Sequence, residues 1–346
     1  MKFQGVRIMK KALGPIVLAA IAVVFIATGC KRKEESEGKY RIAVIPKGTT
    51  HVFWKSIHAG AVKAEQEFQE LGVEIKWIGP LKEDDRESQI KVVENFITRG
   101  VSGIVLAPLD DTALQRPVRD AVNNGIPVVI IDSGLKSEDY VSFVATDNYI
   151  GGRKGGEHLA EILGGKGKVI MLRYQEGSAS TMNREQGFLK VLKEKYPEIE
   201  VVSSNQYGGA TTESARRASE NLLAPLRKLD GTLTIDGIFC PNESTAFAML
   251  LALQDSGLAG KVKYVGFDSS ERLVKGLETG EIHGLVLQDP INMGYLGVKT
   301  MVKHLQGEKV EKRIDTGSRV ATPENMNDPE IRNLLEPNYK KWLKEE

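Results

Sequence analysis

The chain has 346 residues, 41% of them hydrophobic, enough for a sizeable core and about two ordinary domains, which excludes a disordered tail protein and a disulfide-stapled miniprotein. Its 47 Lys and Arg nearly cancel its 46 Asp and Glu, so it lacks the basic excess of a nucleic-acid-binding protein.

Residues 1–11 carry Lys2, Arg7, Lys10 and Lys11 and no acid, and residues 12–28 run apolar through Leu13, Ile16, Leu18, Ile21, Val24 and Ile26. The run is short for a membrane span and ends in Ala27-Thr28-Gly29-Cys30, small residues ahead of a cysteine. This reads as a bacterial lipoprotein signal peptide over residues 1–29, with Ala27 where leucine is usual and Cys30 as the lipidated residue. An uncleaved anchor helix is the other reading, and Met9 is an equally good start. Residues 30–39 continue as KRKEESEGK after the cysteine, charged and without apolar anchors, which suits a flexible tether. Processing removes four basic residues and no acid, shifting the formal net charge from +1 to −3. Cys240 is then the sole thiol of the body, so no internal disulfide forms, and its apolar run Gly237-Ile238-Phe239-Cys240 marks a buried structural cysteine.

From residue 40 the pattern alternates. YRIAVIP over 40–46 is apolar and β-branched, and residues 53–71 repeat apolar side chains at Ile57, Ala61, Ala64, Phe68 and Leu71, a helical period. The same alternation predicts strands over 73–78, 103–107 and 127–131, with helices over 84–99 and 112–124. Further strands are predicted over 141–145, 168–172, 200–204, 237–240, 262–267 and 285–288, with helical stretches between most of them. Strand–helix alternation of this kind builds parallel sheets from βαβ crossovers.

Three strands recur as pairs at a nearly constant offset: residues 41–45 with 168–172, GIVLAPLD at 103–110 with GIFCPNE at 237–243, and PVVIIDS at 127–133 with KYVGFDS at 263–269. The body therefore reads as two lobes that are structural copies. Residues 151–156, GGRKGG, lack the frame of a phosphate loop and read as a helix surface that packs closely. No G-x-S-x-G elbow and no ordered Ser-His-Asp set is present.

In an open parallel sheet the ligand sits beyond the carboxyl ends of the strands. Asp132 and Asp268 end apolar strands, Asn242 and Glu243 follow another, Gln288 follows Leu285-Val286-Leu287, Phe53 and Trp54 open the first helix, and Arg184 begins the helix after the 168–172 strand. An Asp at a strand end is often only a turn former or helix cap, and an aromatic at a helix start only a staple. Together they suit a sugar: planar carboxylate, carboxamide and guanidinium groups each engage adjacent hydroxyls, while aromatic faces cover the C–H patches of the ring. His51 suits hydrogen bonding better than metal ligation, because His58, His158, His283 and His304 are scattered without a ligating spacing. No metal and no cofactor is expected.

These residues carry a resemblance. Over residues 39–320 the chain resembles the ribose-binding protein family, periplasmic sugar-binding subunits of ABC importers, most specifically in VGFD and PNE. The resemblance implies an α/β fold of two doubly wound parallel-sheet lobes joined by a three-strand hinge, with residues 40–145 plus 290–316 in the N-terminal lobe and 146–289 plus 317–346 in the C-terminal lobe. It implies crossings near 145–147, 288–290 and 316–319. It also implies ligand contacts from His51, Phe53, Trp54, Asp132, Arg184, Asn242, Asp268 and Gln288. Two departures stand out: Ser133 where the ribose binders carry an arginine after the acid, and His51 where they usually carry an asparagine. The mid-lobe aromatic of the second lobe has no clear counterpart, since Tyr207-Gly208-Gly209-Ala210 aligns in more than one way. The implied partners are a sugar other than ribose, an ABC permease and a membrane reached only through the lipid; the implied protein is a monomer of the periplasm or cell surface, and not an enzyme. A receptor feeding a sensor kinase or chemoreceptor is a close alternative, and a glycosidase using Asp132 and Asp268 as paired carboxylates a distant one. Residues beyond Pro323, with Ile331, Leu334 and Leu335, read as an extra capping helix.

Overall fold

The computed structural model describes residues 40–344. The expected signal peptide, lipidated Cys30 and tether fall on residues 1–39, outside the described residues. The first lobe is laid down as β1 (Tyr40–Ile45), α1 (Val52–Glu67), β2 (Val73–Trp77), α2 (Arg86–Thr98), β3 (Gly103–Leu106), α3 (Gln115–Asn123), β4 (Val128–Ile131) and β5 (Ser142–Ala145). The second follows as α4 (Asn148–Ile162), β6 (Lys166–Arg173), α5 (Ala179–Lys195), β7 (Glu198–Tyr207), α6 (Thr212–Leu223), β8 (Gly237–Phe239), α7 (Glu243–Asp255), β9 (Lys263–Phe267), α8 (Glu271–Glu278) and β10 (Gly284–Leu287). The chain then gives α9 (Pro290–Leu305), β11 (Arg313–Asp315), β12 (Arg319–Ala321), α10 (Pro329–Leu335) and α11 (Lys340–Leu343).

The strands form two six-stranded sheets, ordered β2-β1-β3-β4-β5-β11 and β7-β6-β8-β9-β10-β12. The first is parallel throughout; in the second only β12 runs antiparallel, against β10. The three sequence pairs fall on equivalent strands: β1 with β6, β3 with β8, and β4 with β9. β11 and β12 carry no period of their own, because three residues on a sheet margin expose most of their side chains.

A period of two divides each strand between two cores. In β1, Ile42 and Val44 face α1 and α9 with Trp54, Ile57 and Met301, while Ala43 and Ile45 face α2 and α3 with Val93, Phe96 and Val118. In β6, Val169 and Met171 meet Leu159, Phe188 and Phe239, while Ile170 and Leu172 meet Cys240, Met249, Leu253 and Leu277. With both faces covered by helices, these strands read as continuous apolar runs.

The chain passes between the sheets after β5, after β10 and after β11. Asp147 caps α4 by accepting from Ile150 N at 3.1 Å, and Asp289 caps α9 by accepting from Asn292 N at 3.0 Å, so the two crossing helices start alike. The first and third passages are tied together: Thr146 Oγ1 donates to Gly317 O at 3.1 Å, and Asp147 N donates to Asp315 Oδ1 at 3.0 Å.

Glycine sets the helix contacts. A Cβ on Gly152 of α4 would collide with the carbonyl of Arg184 in α5, and a Cβ on Gly187 with the carbonyl of Tyr149. Gly60 and Gly294 do the same for α1 and α9. The GGRKGG stretch is therefore a packing surface inside α4.

At the end of the chain, α10 buries Ile331 and Leu335 in the second lobe, and Ser269 Oγ donates to Leu334 O at 3.1 Å. α11 lies instead against α1 of the first lobe, with Lys55 Nζ 5.8 Å from the centre of the Tyr339 ring. The segment expected to end on the second lobe thus ends on the other.

Cys240 is buried, and that burial pushes its thiol up to about 12. It should give no colour with a disulfide reagent in the native protein, react fully in denaturant, and tolerate Cys240→Ser without change in ligand affinity.

Candidate ligand-binding cleft

The segments that follow β1, β2, β4, β6, β8, β9 and β10 line one cleft between the lobes. All eight expected residues line it: His51, Phe53, Trp54 and Asp132 from the first lobe, Arg184, Asn242, Asp268 and Gln288 from the second. Lys47, Glu83, Tyr174, Ser178, Ser180, Thr181 and Glu243 complete the wall.

Asp132 and Asp268 are equivalent to the backbone atom. Each follows its strand in the left-handed region, φ 60° and 68°, and each donates its N–H to the neighbouring strand, Asp132 to Val144 O at 3.1 Å and Asp268 to Val286 O at 2.8 Å. Asp tolerates this conformation better than most residues but still stores strain, the kind found at ligand-binding positions.

Their partners differ. Lys47 Nζ makes an ion pair with Asp132 Oδ2 at 2.9 Å and donates to Ser180 Oγ at 3.0 Å and Ser178 Oγ at 3.3 Å. All three ammonium protons are thereby used, two of them across the cleft. Lys47 supplies the cation beside the acid, and Ser133, freed of that task, accepts from Ser180 N of the other lobe at 3.1 Å. Asp268 Oδ1 accepts from Gln288 Nε2 at 2.6 Å, and its Oδ2 accepts from Glu243 N at 3.1 Å with Arg184 Nη1 3.7 Å away. Burial raises the Asp268 carboxyl, against the opposing pull of Arg184 and Gln288.

Arg184 lies in the second turn of α5 rather than at its start. Its Nε donates to Asn148 Oδ1 at 2.7 Å and its Nη1 to Pro241 O at 2.9 Å, while the guanidinium sits 3.9 Å from the centre of the Phe267 ring. Asn148, the first residue of α4, also donates from Nδ2 to Asp132 O at 3.2 Å, so one carboxamide links Arg184 to the other lobe's aspartate. Asn242 is half occupied as the N-cap of α7, its Oδ1 accepting from Thr245 Oγ1 at 2.6 Å. Gln288 is 3% exposed, and among the described residues its Oε1 has no hydrogen-bond partner, which makes it a candidate acceptor for a ligand hydroxyl.

Glu83 is the residue least visible in the sequence. Its Oε1 accepts from His51 Nδ1 at 2.6 Å and from Trp54 Nε1 at 2.7 Å, and its Oε2 accepts from Tyr174 OH of the second lobe at 2.7 Å. Burial raises this carboxyl, but the His51 hydrogen bond and charge, with Tyr174 and Trp54, outweigh it and hold it near 2. Burial likewise works against charge on His51, and Glu83, Glu243 and Asp268 overcome it and lift the imidazole to about 9. Burial brings Glu243 up to about 7, while its Oε2 accepts from Phe53 N of the other lobe at 3.2 Å. Tyr174 is the second-lobe aromatic that lines the cleft, whereas Tyr207 is not among the lining residues and packs its ring 4.7 Å from the Arg173 guanidinium.

Among the described residues, no group of three or more His, Cys, Asp or Glu side chains is placed to hold a metal, and no helix is long and apolar enough to cross a membrane. Asp132 is ion-paired with Lys47 and Asp268 lies beside Arg184, so neither carboxylate stands as the unpaired base a glycosidase needs.

Comparison with known proteins gives the same frame. The family model described as the periplasmic binding protein domain matches residues 42–309. The chain belongs to that family. It is 30% identical to the ribose import binding protein RbsB of Haemophilus influenzae over 74% of this chain and 84% of that one. It is 35% identical to a carbohydrate transporter solute-binding protein from Agrobacterium radiobacter solved with D-arabinose, with a TM-score of 0.80, covering 87% of this chain and all of that one (100%). A solute-binding protein from Agrobacterium vitis solved with D-fucose also shows 35% identity and a TM-score of 0.80, over 86% and 100%. These relatives are solute-binding proteins, and the family is one of binding proteins, not enzymes.

Proposed function

We propose that this periplasmic binding protein captures a monosaccharide or sugar derivative by closing its lobes around it and delivers it to an ABC transporter permease, held to the membrane by a lipid on Cys30. What carries the reading is the cleft: acceptors, donors and ring faces from both lobes converge on one space, and they are the residue types a pyranose or furanose needs. The segments 145–147, 288–290 and 316–319 act as hinges. Lys47, Tyr174, Phe53 and Ser180 hydrogen-bond across the cleft, so ligand favouring this closed arrangement shifts the population toward it. Ser133, in the place of an arginine, supports a sugar other than ribose.

A thermal-shift screen of aldoses, ketoses and polyols tests the reading. A sugar at a hundred times its dissociation constant stabilises the native state by about 2.7 kcal/mol. The same sugar should compact the protein in solution scattering; no melting shift with any of them would overturn the proposal. Cys30→Ser should release the protein from membranes into the soluble fraction.

A further inference from the structure

His51, where the resemblance leads one to expect an asparagine, is held in an unusual way. Its Nδ1 meets Glu83 Oε1, and among the described residues its other ring nitrogen, Nε2, has no hydrogen-bond partner, although the ring lines the cleft. The carboxylate that holds it is confined on every side. Both oxygens of Glu83 accept, its backbone O accepts from Gln175 Nε2 of the second lobe at 3.0 Å, and a Cβ on Gly48 would stand 2.8 Å from its Cγ. Trp54, His51 and Tyr174 engage three of the roughly four lone-pair sites of this carboxylate, so its orientation is set by protein donors.

We propose that Glu83 is the positioning residue of the cleft: it fixes His51 as an imidazolium whose Nε2–H is offered to a sugar oxygen, and it couples that donor to closure through Tyr174. A neutral histidine could place its one proton on either nitrogen; a carboxylate on Nδ1 keeps the proton there, and charge on the ring guarantees a second proton on Nε2. Tyr174 reaches the same carboxylate only from the other lobe. His51 and Trp54 hold the carboxylate from its own lobe, and closure adds Tyr174 as its third donor. The charged groups facing His51 are Glu83 from the loop before α2, Glu243 from the first turn of α7 and Asp268 after β9; all three are acidic and favour the imidazolium. The inference rests on the sugar-binding reading for its effect on affinity, but not for the state of the imidazole.

Two measurements separate them. Nitrogen NMR of the ligand-free protein should find the His51 ring protonated at pH 8 in the wild type and titrating at or below its ordinary value in Glu83→Gln, where burial acts without the carboxylate. Calorimetry with D-arabinose and D-fucose as probes should give a wild-type affinity whose only slope from pH 6 to 8 is the one imposed by Glu243, held up to about 7, and Glu83→Gln shares that slope. Beyond it, Glu83→Gln should weaken by about tenfold over that interval as the imidazole empties. Tyr174→Phe should weaken binding at every pH without adding a slope. An unprotonated wild-type ring at pH 8, or a Glu83→Gln profile parallel to wild type, overturns the proposal. If neither sugar binds the wild type, the NMR result still decides the role of Glu83 while the sugar reading falls. Should Glu83→Gln not fold, the wild type read from pH 8 to 10 replaces it. Its affinity should drop as the ring loses its proton, and His51→Gln should be flat; parallel curves there overturn the proposal equally.

Discussion

Asp268→Ala should cost the protein both its ligand and a large share of its stability. The carboxylate accepts from Gln288 and Glu243 and neutralises a guanidinium that is itself buried, 2% exposed. Removing one partner of a buried pair costs about 3–5 kcal/mol, because the other charge is left without compensation. Asn148, Pro241 O and the Phe267 ring still hold Arg184, which argues for the lower end. Alanine also fits poorly at φ 68°, a strain of about 1–2 kcal/mol. Asp268→Asn separates these effects, since asparagine accepts the left-handed backbone and keeps one acceptor. It should destabilise far less than alanine and still lose at least tenfold in affinity, the worth of about one hydrogen bond to a charged group. Denaturant titration and calorimetry on both variants, and on the matching pair at Asp132, check this. Wild-type affinity in a folded Asp268→Asn protein would place the ligand elsewhere.

Gly152→Ala should weaken binding although Gly152 touches no ligand. The added methyl meets the carbonyl of Arg184, backbone against backbone, so no rotamer change relieves it and α4 must move off α5. Overpacking of this kind costs about 1–3 kcal/mol, occasionally more, and we expect the upper part of that range. The residue pushed aside carries the guanidinium of the cleft, so affinity should fall with stability, by about tenfold for a displaced charged hydrogen bond. Gly134→Ala is the control: its methyl would meet Ala179 at an ordinary 3.7 Å and should leave melting temperature and affinity near wild type. Equal behaviour of the two variants would show that the α4–α5 contact has slack.

The two parallel-sheet lobes were readable because βαβ alternation and a repeated set of strand endings leave few topologies open. The candidates Asp132, Asn242, Asp268 and Gln288 were readable because each stands at or just beyond a strand end, where a polar side chain after an apolar run is conspicuous. Arg184 was misjudged by a turn, since nothing in a run of polar residues marks where α5 begins, and Ser178 caps it without a side-chain hydrogen bond.

The residues that escaped notice share a cause. Lys47, Glu83 and Tyr174 gain their meaning only from partners far along the chain: Lys47 from Ser178 and Ser180, Glu83 from His51, Trp54 and Tyr174. A lysine after a strand or a glutamate in a charged loop, KEDDRES, is ordinarily solvated, and composition cannot reveal that it will be buried. The sequence by itself determined the two-lobe α/β architecture, the pairing of equivalent strands and the positions of Asp132 and Asp268, because periodicity and strand-end chemistry are local properties. Only the tertiary structure decided which charges meet across the cleft, that Lys47 takes the cation's place beside Asp132, and that the chain's last helix lands on α1. Those outcomes depend on bringing residues far apart in the chain, such as Lys47 and Asp132 or Glu83 and Tyr174, within hydrogen-bond reach, where desolvation makes every unpaired charge costly.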